Sequence, residues 1–325
     1  MGYVLRVLSA LRMGGLEFAF HKFEEKFFKS DNYRLYKYRI FESAAVEDYP
    51  KLVSLEYQMV TGKKININKP RSFNEKIQWM KVYDSTPIKT RLADKYLVRE
   101  WIKDKIGEQY LVPILGVWDH FEDIDFGNLP DSFVLKCNHG SGWNLIVKNK
   151  ADIDYNKAKM DFDKWIGTNF AFLEGEFQYR DIPPKIIAEQ YLDVSGGIKD
   201  YRLYCFNGVP VQIWIDQYSG TPMHIRSIFD MNFNKLDFRC KWPDGGELLN
   251  EKPINFELMK QIAIKLSQEF AFVRIDFFEV GDRLYMGEMT FTPISGIGDF
   301  DPPKWDIILG EMLTLPEPTI LPDYK

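Results

Sequence analysis

Asp276 and Glu288 are the residues whose spacing first points to chemistry. They stand in VRIDFFEVGDRLYMGEMT, two alternating stretches around a glycine turn. That pattern reads as a β-hairpin, with Val273 to Glu279 running up and Leu284 to Thr290 returning. A loop with an odd number of residues sets Asp276 opposite Glu288 and Arg274 opposite Thr290. It puts Arg274, Asp276, Phe278, Met286, Glu288 and Thr290 on one face, and leaves Val273, Ile275, Phe277, Tyr285, Gly287 and Met289 as the apolar face. A two-residue turn would send the two acids to opposite faces. Like charges facing each other destabilise a sheet. A cation between them removes that cost, and hard oxygen ligands suit Mg²⁺ carrying a nucleotide phosphate. Two unrelated acids on a solvated hairpin are the plainer alternative.

Three further segments carry suitable groups. Lys136 lies in FVLKCNHGSGWN, a strand entering a glycine loop. Glycines let backbone N–H groups approach phosphate oxygens, and the lysine adds a point charge. The loop joins two strands, so it is not a Walker sequence and reads as a flap over a triphosphate. Glu189-Gln190-Tyr191-Leu192 ends a strand, where alternating backbone groups could meet a base edge and a carboxylate the ribose. Lys199-Asp200-Tyr201-Arg202 opens the next strand. Arg202 is suited to grip a phosphate or carboxylate, or simply to pair with Asp200.

These residues need elements to position them. RSFNEKIQWMKVYD, from Arg71, has Phe73, Ile77 and Met80 at helical spacing. KTRLADKYLVREWIKDKIG reads as one helix with Leu92, Tyr96, Trp101 and Ile102 on a stripe. FVLKCN and NLIVKN are strands around the glycine loop, and Tyr155 to Phe170 is a helix. KIIAEQYL is a strand ending in the turn Ser195-Gly196-Gly197. DYRLYCFNGVPVQIWIDQY is a hairpin about Asn207-Gly208. Strand material is expected from Ile225 to Phe238 and a helix from Asn255 to Phe270. Hairpins with helices between the sets give the class α+β.

Composition narrows the field. The chain has 325 residues, 45% of them hydrophobic, enough for two or three subdomains with cores of their own. A net charge of −5 argues against a general nucleic-acid binder. Cys137, Cys205 and Cys240 show no CxxC spacing, which fits a reducing cytoplasm and neither a disulfide framework nor a zinc site. No run of about 18 apolar residues spans a bilayer. MGYVLRVLSALRMGGLEFAF is apolar but interrupted by Arg6, Arg12 and Gly14-Gly15. It reads as an amphipathic helix packed on the protein body, or lying on a membrane or a partner.

Taken in order, these pieces resemble one superfamily. Asp94-Lys95 on a helix, Lys136 before HGSG, Glu189 ending a strand, and Asp276 followed by Glu288-Met289-Thr290 resemble ATP-grasp ligases. FNEKIQWMK, ADKYLVREWI, FVLKCNHGSGWN, DYRLYCFNG and GEMTFTPISG resemble, more closely, the TupA-like ATP-grasp family of teichuronopeptide biosynthesis, over roughly residues 55 to 310. The resemblance implies a helical region over 1–70, an N-terminal and nucleotide-lid part over 71–190, and a C-terminal subdomain with the metal hairpin over 191–325. It implies ATP and Mg²⁺ as cofactors. Lys95, Lys136, Lys199 and Arg202 would meet the nucleotide, with His139, Gly140, Ser141 and Gly142 as lid. Glu189, Gln190, Tyr191 and Leu192 would form the adenine and ribose hinge. Asp276, Glu288 and Thr290 would hold the metal, although the family's usual residue at the last position is asparagine. Arg274 would stand near the developing oxyanion, with Arg202 and Lys136 as the other catalytic cations.

The product so implied is an amide between an amino acid or other amine and a uronic acid of a surface polysaccharide. It would be made in the cytoplasm, at the inner membrane face if the N-terminal helix docks there. Substrate contacts are expected around Trp214, Arg226 and Gly296 to Asp301. Two rivals stand beside this reading. A glycosyltransferase would use an Asp-x-Asp pair, for which Asp123-Ile124-Asp125 and Asp299-Phe300-Asp301 are the candidates. A nucleotide-binding protein without ligase activity is suggested by Thr290.

Overall fold

A computed structural model describes residues 2–28, 32–194, 197–319 and 321. Ser195 and Gly196 of the expected turn lie outside the described residues. The chain forms two compact units. One comprises Met1–Pro87, Phe170–Arg180 and Thr292–Lys325; the other comprises Ile88–Asn169 and Asp181–Phe291.

The first unit is mainly helical: α1 (Gly2–Phe28), α2 (Asn32–Ser43), α3 (Tyr49–Thr61), α4 (Phe73–Tyr83), α8 (Phe170–Glu174) and α10 (Lys304–Met312). Gly14 and Gly15 break α1. Helix α4 starts at a capping box, in which Ser72 accepts from the Glu75 amide and Glu75 reaches back to the Ser72 amide. Asn74, Gln78 and Lys81 follow one another along a face of α4. Asn74 donates to Gly298 O (2.8 Å), Gln78 to Ser295 O and Gly296 O (both 2.8 Å), and Lys81 to Ser295 Oγ (2.6 Å). They hold a turn in which Ile294, Ser295 and Gly296 all have positive φ (52°, 51° and 62°). A β-branched residue rarely adopts that conformation and keeps it here because its surroundings over-determine it.

The second unit contains two antiparallel sheets. The four-stranded sheet has the order β1 (Ile114–Trp118), β4 (Ile186–Gln190), β2 (Phe133–Cys137), β3 (Asn144–Val147). The five-stranded sheet has the order β10 (Arg283–Thr290), β9 (Phe272–Val280), β5 (Lys199–Phe206), β6 (Val209–Gln217), β7 (Ile225–Asp230). A two-residue strand, β8 (Arg239–Cys240), follows β7. Asn207 and Gly208 turn β5 into β6 with φ of 50° and 81°, as that dipeptide favours. One face of the larger sheet is apolar: Leu203, Ile213, Ile275 and Phe277 pack with Met259, Ile262 and Leu266 of α9 (Phe256–Ser267). Burial of that face commits the alternate residues to the other side.

The register of the β9–β10 hairpin differs from expectation. The turn has two residues, so Met286 pairs with Phe277 and Tyr285 with Phe278. By itself that register would separate Asp276 from Glu288. A β-bulge at Gly287 inserts one residue, and beyond it Glu288 pairs with Asp276 and Thr290 with Arg274. The acids therefore face each other, but Met286 belongs to the apolar core. Tyr285 instead stacks on Phe278, with ring centroids 5.4 Å apart.

Other boundaries also move. The single helix expected over 89–107 is two, α5 (Pro87–Ala93) and α6 (Val98–Ile106). Asp94 Oδ1 accepts from the amides of Tyr96 (2.7 Å) and Leu97 (3.2 Å), which offers the backbone a turn in place of helix. The helix expected from Tyr155 to Phe170 ends as α7 (Tyr155–Ile166), where Gly167 follows, and the strand expected to reach Phe238 ends at Asp230.

Candidate active site

Residues of both sheets of the second unit line a cleft of about 390 Å³. On the side of the smaller sheet, Lys136 stands near the end of β2 and its Nζ lies 2.5 Å from Glu189 Oε2. Glu189 Oε1 is 3.5 Å from Arg99, whose other nitrogen donates to Val112 O (2.6 Å). Lys95 sits in the break between α5 and α6. Its amide donates to Asn138 O (3.1 Å) and its Nζ donates to Gly140 O, so the turn made by Asp94 brings the lysine to the glycine loop. Burial pulls Lys95 below the usual lysine range, with Glu288 opposing and Lys136 reinforcing that shift.

Gly140 packs against the Trp143 ring, which a Cβ there would meet at 2.5 Å. Ser141 and Gly142 complete the cleft-lining loop. His139 does not line the cleft. It is buried, its Nε2 donates to Trp165 O (3.1 Å), and burial lowers its pKa. The sealed imidazole shapes the loop from behind. Gln190, Tyr191 and Leu192 continue the wall, with the Gln190 amide donating to Pro113 O (3.0 Å). Val134, Ile146, Ile198 and Phe278 supply apolar surface of the kind a flat ring packs against.

On the side of the larger sheet, Asp276 and Glu288 both line the cleft. Arg274 donates to both Asp276 oxygens (2.7 and 2.6 Å), to Glu288 Oε1 (2.9 Å) and to Thr290 Oγ1 (3.0 Å). Burial lifts Asp276 to about 6 against the pull of Arg274 and Arg202. Burial also opposes ionisation of Glu288, but Lys95 and Arg274 outweigh it and bring that carboxyl down to about 2.

Two cleft-facing carboxylates fit Mg²⁺, which typically takes one or two carboxylates and completes its shell with water and phosphate oxygens. No group of three or more His, Cys, Asp or Glu among the described residues could enclose a metal by itself. Thr290 donates to Glu288 Oε1 (2.8 Å) while accepting from Arg274, and it does not line the cleft. Its hydroxyl fixes the Glu288 carboxylate.

Arg202 reaches the cleft, whereas Lys199 opens β5 without lining it. Trp214 and Arg226 are buried and away from the cleft lining, and Gly296 to Asp301 belongs to the first unit. Asp123 and Asp125 are occupied in local turns: Asp123 accepts from the His120 amide (3.2 Å) and Asp125 from that of Gly127 (3.0 Å). Neither lines the cleft, so no observation favours a sugar-nucleotide pair there. Sequence reasoning missed Arg99, although it follows Lys95 by four residues, and Asp216, whose neighbours emerge only from the register of three strands.

Compared with known proteins, the chain matches the family described as TupA-like ATPgrasp over residues 75–314. Among solved structures it is similar to a D-alanine–D-alanine ligase from Helicobacter pylori, with 19% identity over 63% of this chain and 53% of that one, at a TM-score of 0.36. A D-alanine–D-alanine ligase from Bacillus anthracis complexed with ATP shows 15% identity over 62% and 54%, at 0.35. An L-amino acid ligase from Bacillus licheniformis shows 14% over 65% and 46%, at 0.39. The chain thus spans about half the length of these structures. No curated protein matches it.

Proposed function

The chain belongs to the TupA-like ATP-grasp family, and from that premise we propose that it is an ATP-dependent carboxylate–amine ligase. Its product is an amide between an amino acid or other amine and a uronic acid of a surface polysaccharide or its precursor. The observation that carries the reading is convergence: Lys95, Lys136 and the glycine loop share one cleft with Asp276, Glu288 and Arg202. Such a site neutralises charge and needs no nucleophile of its own.

When bound, Mg-ATP would supply a phosphoryl group to the uronate carboxylate with release of ADP, and the amine would then attack the acyl carbon with phosphate as the leaving group. Asp276 and Glu288 hold the metal. Lys136 and Lys95 offset phosphate charge, and the loop over Gly140 to Gly142 covers it with backbone donors. Gln190 to Leu192 meet the base edge, with Glu189 turned to the ribose. Arg274 keeps both acids in place and is the nearest cation to them.

The three cysteines are free and buried, which accords with a reducing compartment. No described helix is long and apolar enough to cross a membrane. Helix α1 exposes Leu16 and Phe20 with Arg6 and Arg12, a surface suited to resting against a membrane that carries a lipid-linked precursor.

The test is release of ADP and phosphate from Mg-ATP in the presence of hexuronates paired with a panel of amino acids and polyamines. ADP release that requires both substrates, and is lost in Lys136→Ala, is expected. Unchanged turnover in that variant would overturn the assignment.

A further inference from the structure

Charge alternates along the polar face of the five-stranded sheet and crosses every strand. Glu288 on β10 meets Arg274 on β9 at 2.9 Å, and Arg274 grips Asp276 on its own strand. Arg202 on β5 lies 3.8 Å from Asp276 and 2.7 Å from Asp216 on β6. Arg226 on β7 closes the row with two bonds to Asp216 (2.6 and 2.7 Å). Register explains the order: Arg202 pairs with Asp276 on one side, and Asp216 pairs with Arg226 on the other.

Asp216 is fully buried, with His224 Nε2 a further 3.3 Å away. Burial alone would raise its pKa, but the bonds from Arg226 and the charge of Arg202 hold it far below the usual carboxylate range. The two arginines it holds are not equivalent. Arg226 is consumed by the scaffold: it also donates to Cys240 O (3.1 Å) and lies over the Trp214 ring. Arg202 lines the cleft. One of its terminal nitrogens is fixed by Asp216, the other by Asp200 (3.1 Å) and Ser219 (3.3 Å). Its Nε is buried and faces Asp276 Oδ2 at 3.8 Å, too long for a hydrogen bond.

We propose that Asp216 is a positioning residue, which locks the Arg202 guanidinium at the cleft wall so that it meets an outer phosphoryl oxygen of the nucleotide. This rests on the nucleotide reading above. The outer phosphates are indicated because Arg202 lies 3.8 Å from Asp276, one of the two carboxylates that would hold the metal of Mg-ATP. Asp216 does this from the strand beyond Arg202, without touching the ligand.

The test compares binding of Mg-ATP and AMP to the full chain by titration calorimetry. Asp216→Asn is expected to weaken Mg-ATP about tenfold while AMP changes less than about twofold, the loss of a charge-assisted contact confined to the outer phosphates. In an Arg202→Gln background the same change should add less than about twofold, since a residue acting through another is not additive with it. Asp216→Glu retains the buried charge but displaces the carboxylate, and should reproduce the selective loss if the Asn variant does not fold. Equal weakening of both nucleotides, or an undiminished effect without Arg202, would overturn the positioning role. If the unmodified protein binds no Mg-ATP, the nucleotide reading itself fails. If it binds while both Asp216 variants keep the ATP-over-AMP preference, only the positioning role fails.

Discussion

The two units bury charge to different ends. Each contains a buried acid held ionised and another pushed towards neutrality. In the first unit, burial disfavours ionisation of Glu56, but Lys37 at 2.7 Å and the nearby Lys81 hold its pKa down. Glu176 has the Thr292 hydroxyl at 2.6 Å and no such close ion pair among the described contacts, and burial lifts it to about 7. In the second unit, Glu288 falls to about 2 and Asp276 rises to about 6. The difference lies in what the raised acid faces. Glu176 is sealed beneath Thr292 and Gln178, whereas Asp276 lines a cleft into which a cation can enter. The raised acid is sealed in the scaffold in the first case and open to the cleft in the second.

The sharpest way to break this contrast is to remove the arginine that pairs with both cleft acids. Arg274→Met leaves Asp276 and Glu288 facing each other without the cation that bridges them, and should lower stability by about 3 kcal/mol in urea titrations. A neutral result would mean that the ladder does not hold the sheet face. Lys136→Ala separates function from scaffold. It should cost about 100-fold or more in ATP turnover, with the urea midpoint nearly unchanged because Arg99 still accompanies Glu189.

Glu176→Gln tests the sealed acid. Its folded pKa of about 7 exceeds the ordinary 4.5, so its contribution is fully present below pH 4.5 and is lost as pH rises through 7. The Gln variant should remove that decline, flattening stability across the window by on the order of 3 kcal/mol. Parallel pH profiles would contradict it. The smallest effect expected is that of Gly140→Ala. The added Cβ meets Trp143, at a cost of about 1–3 kcal/mol or a displaced loop with weaker nucleotide binding, and calorimetry with Mg-ATP would register the latter.

How much of this was legible in the sequence depends on whether the deciding contact was local. Asn207-Gly208 announced its hairpin because the dipeptide itself favours positive φ. Lys136 and the glycine loop were legible for the same reason. The facing of Asp276 and Glu288 was anticipated through an odd loop, but it is achieved by a two-residue turn and a bulge at Gly287, and a lone glycine inside a strand was the signal for that bulge. The break at Asp94 was hidden by the helical stripe running through it, since side-chain capping by Asp competes with helix only where tertiary contacts reward it. Here the reward is Lys95 meeting the glycine loop. FNEKIQWMK looked like a family signature without a task, and its polar residues turn out to clamp the Ile294 to Gly298 turn. Asp216 was least legible of all, because its role depends on the register of β5, β6 and β7 together.

The most direct test of the central claim, that this cleft is an Mg-ATP site, is thermal unfolding in three arms: Mg-ATP, ATP with chelator, and Mg²⁺ with a panel of sugar nucleotides. A ligand at about 100 times its dissociation constant stabilises by about 2.7 kcal/mol, a shift of a few degrees for a chain of this size. The expected result is a metal-dependent shift with ATP that disappears in Lys136→Ala. A shift with a sugar nucleotide and none with Mg-ATP would contradict it.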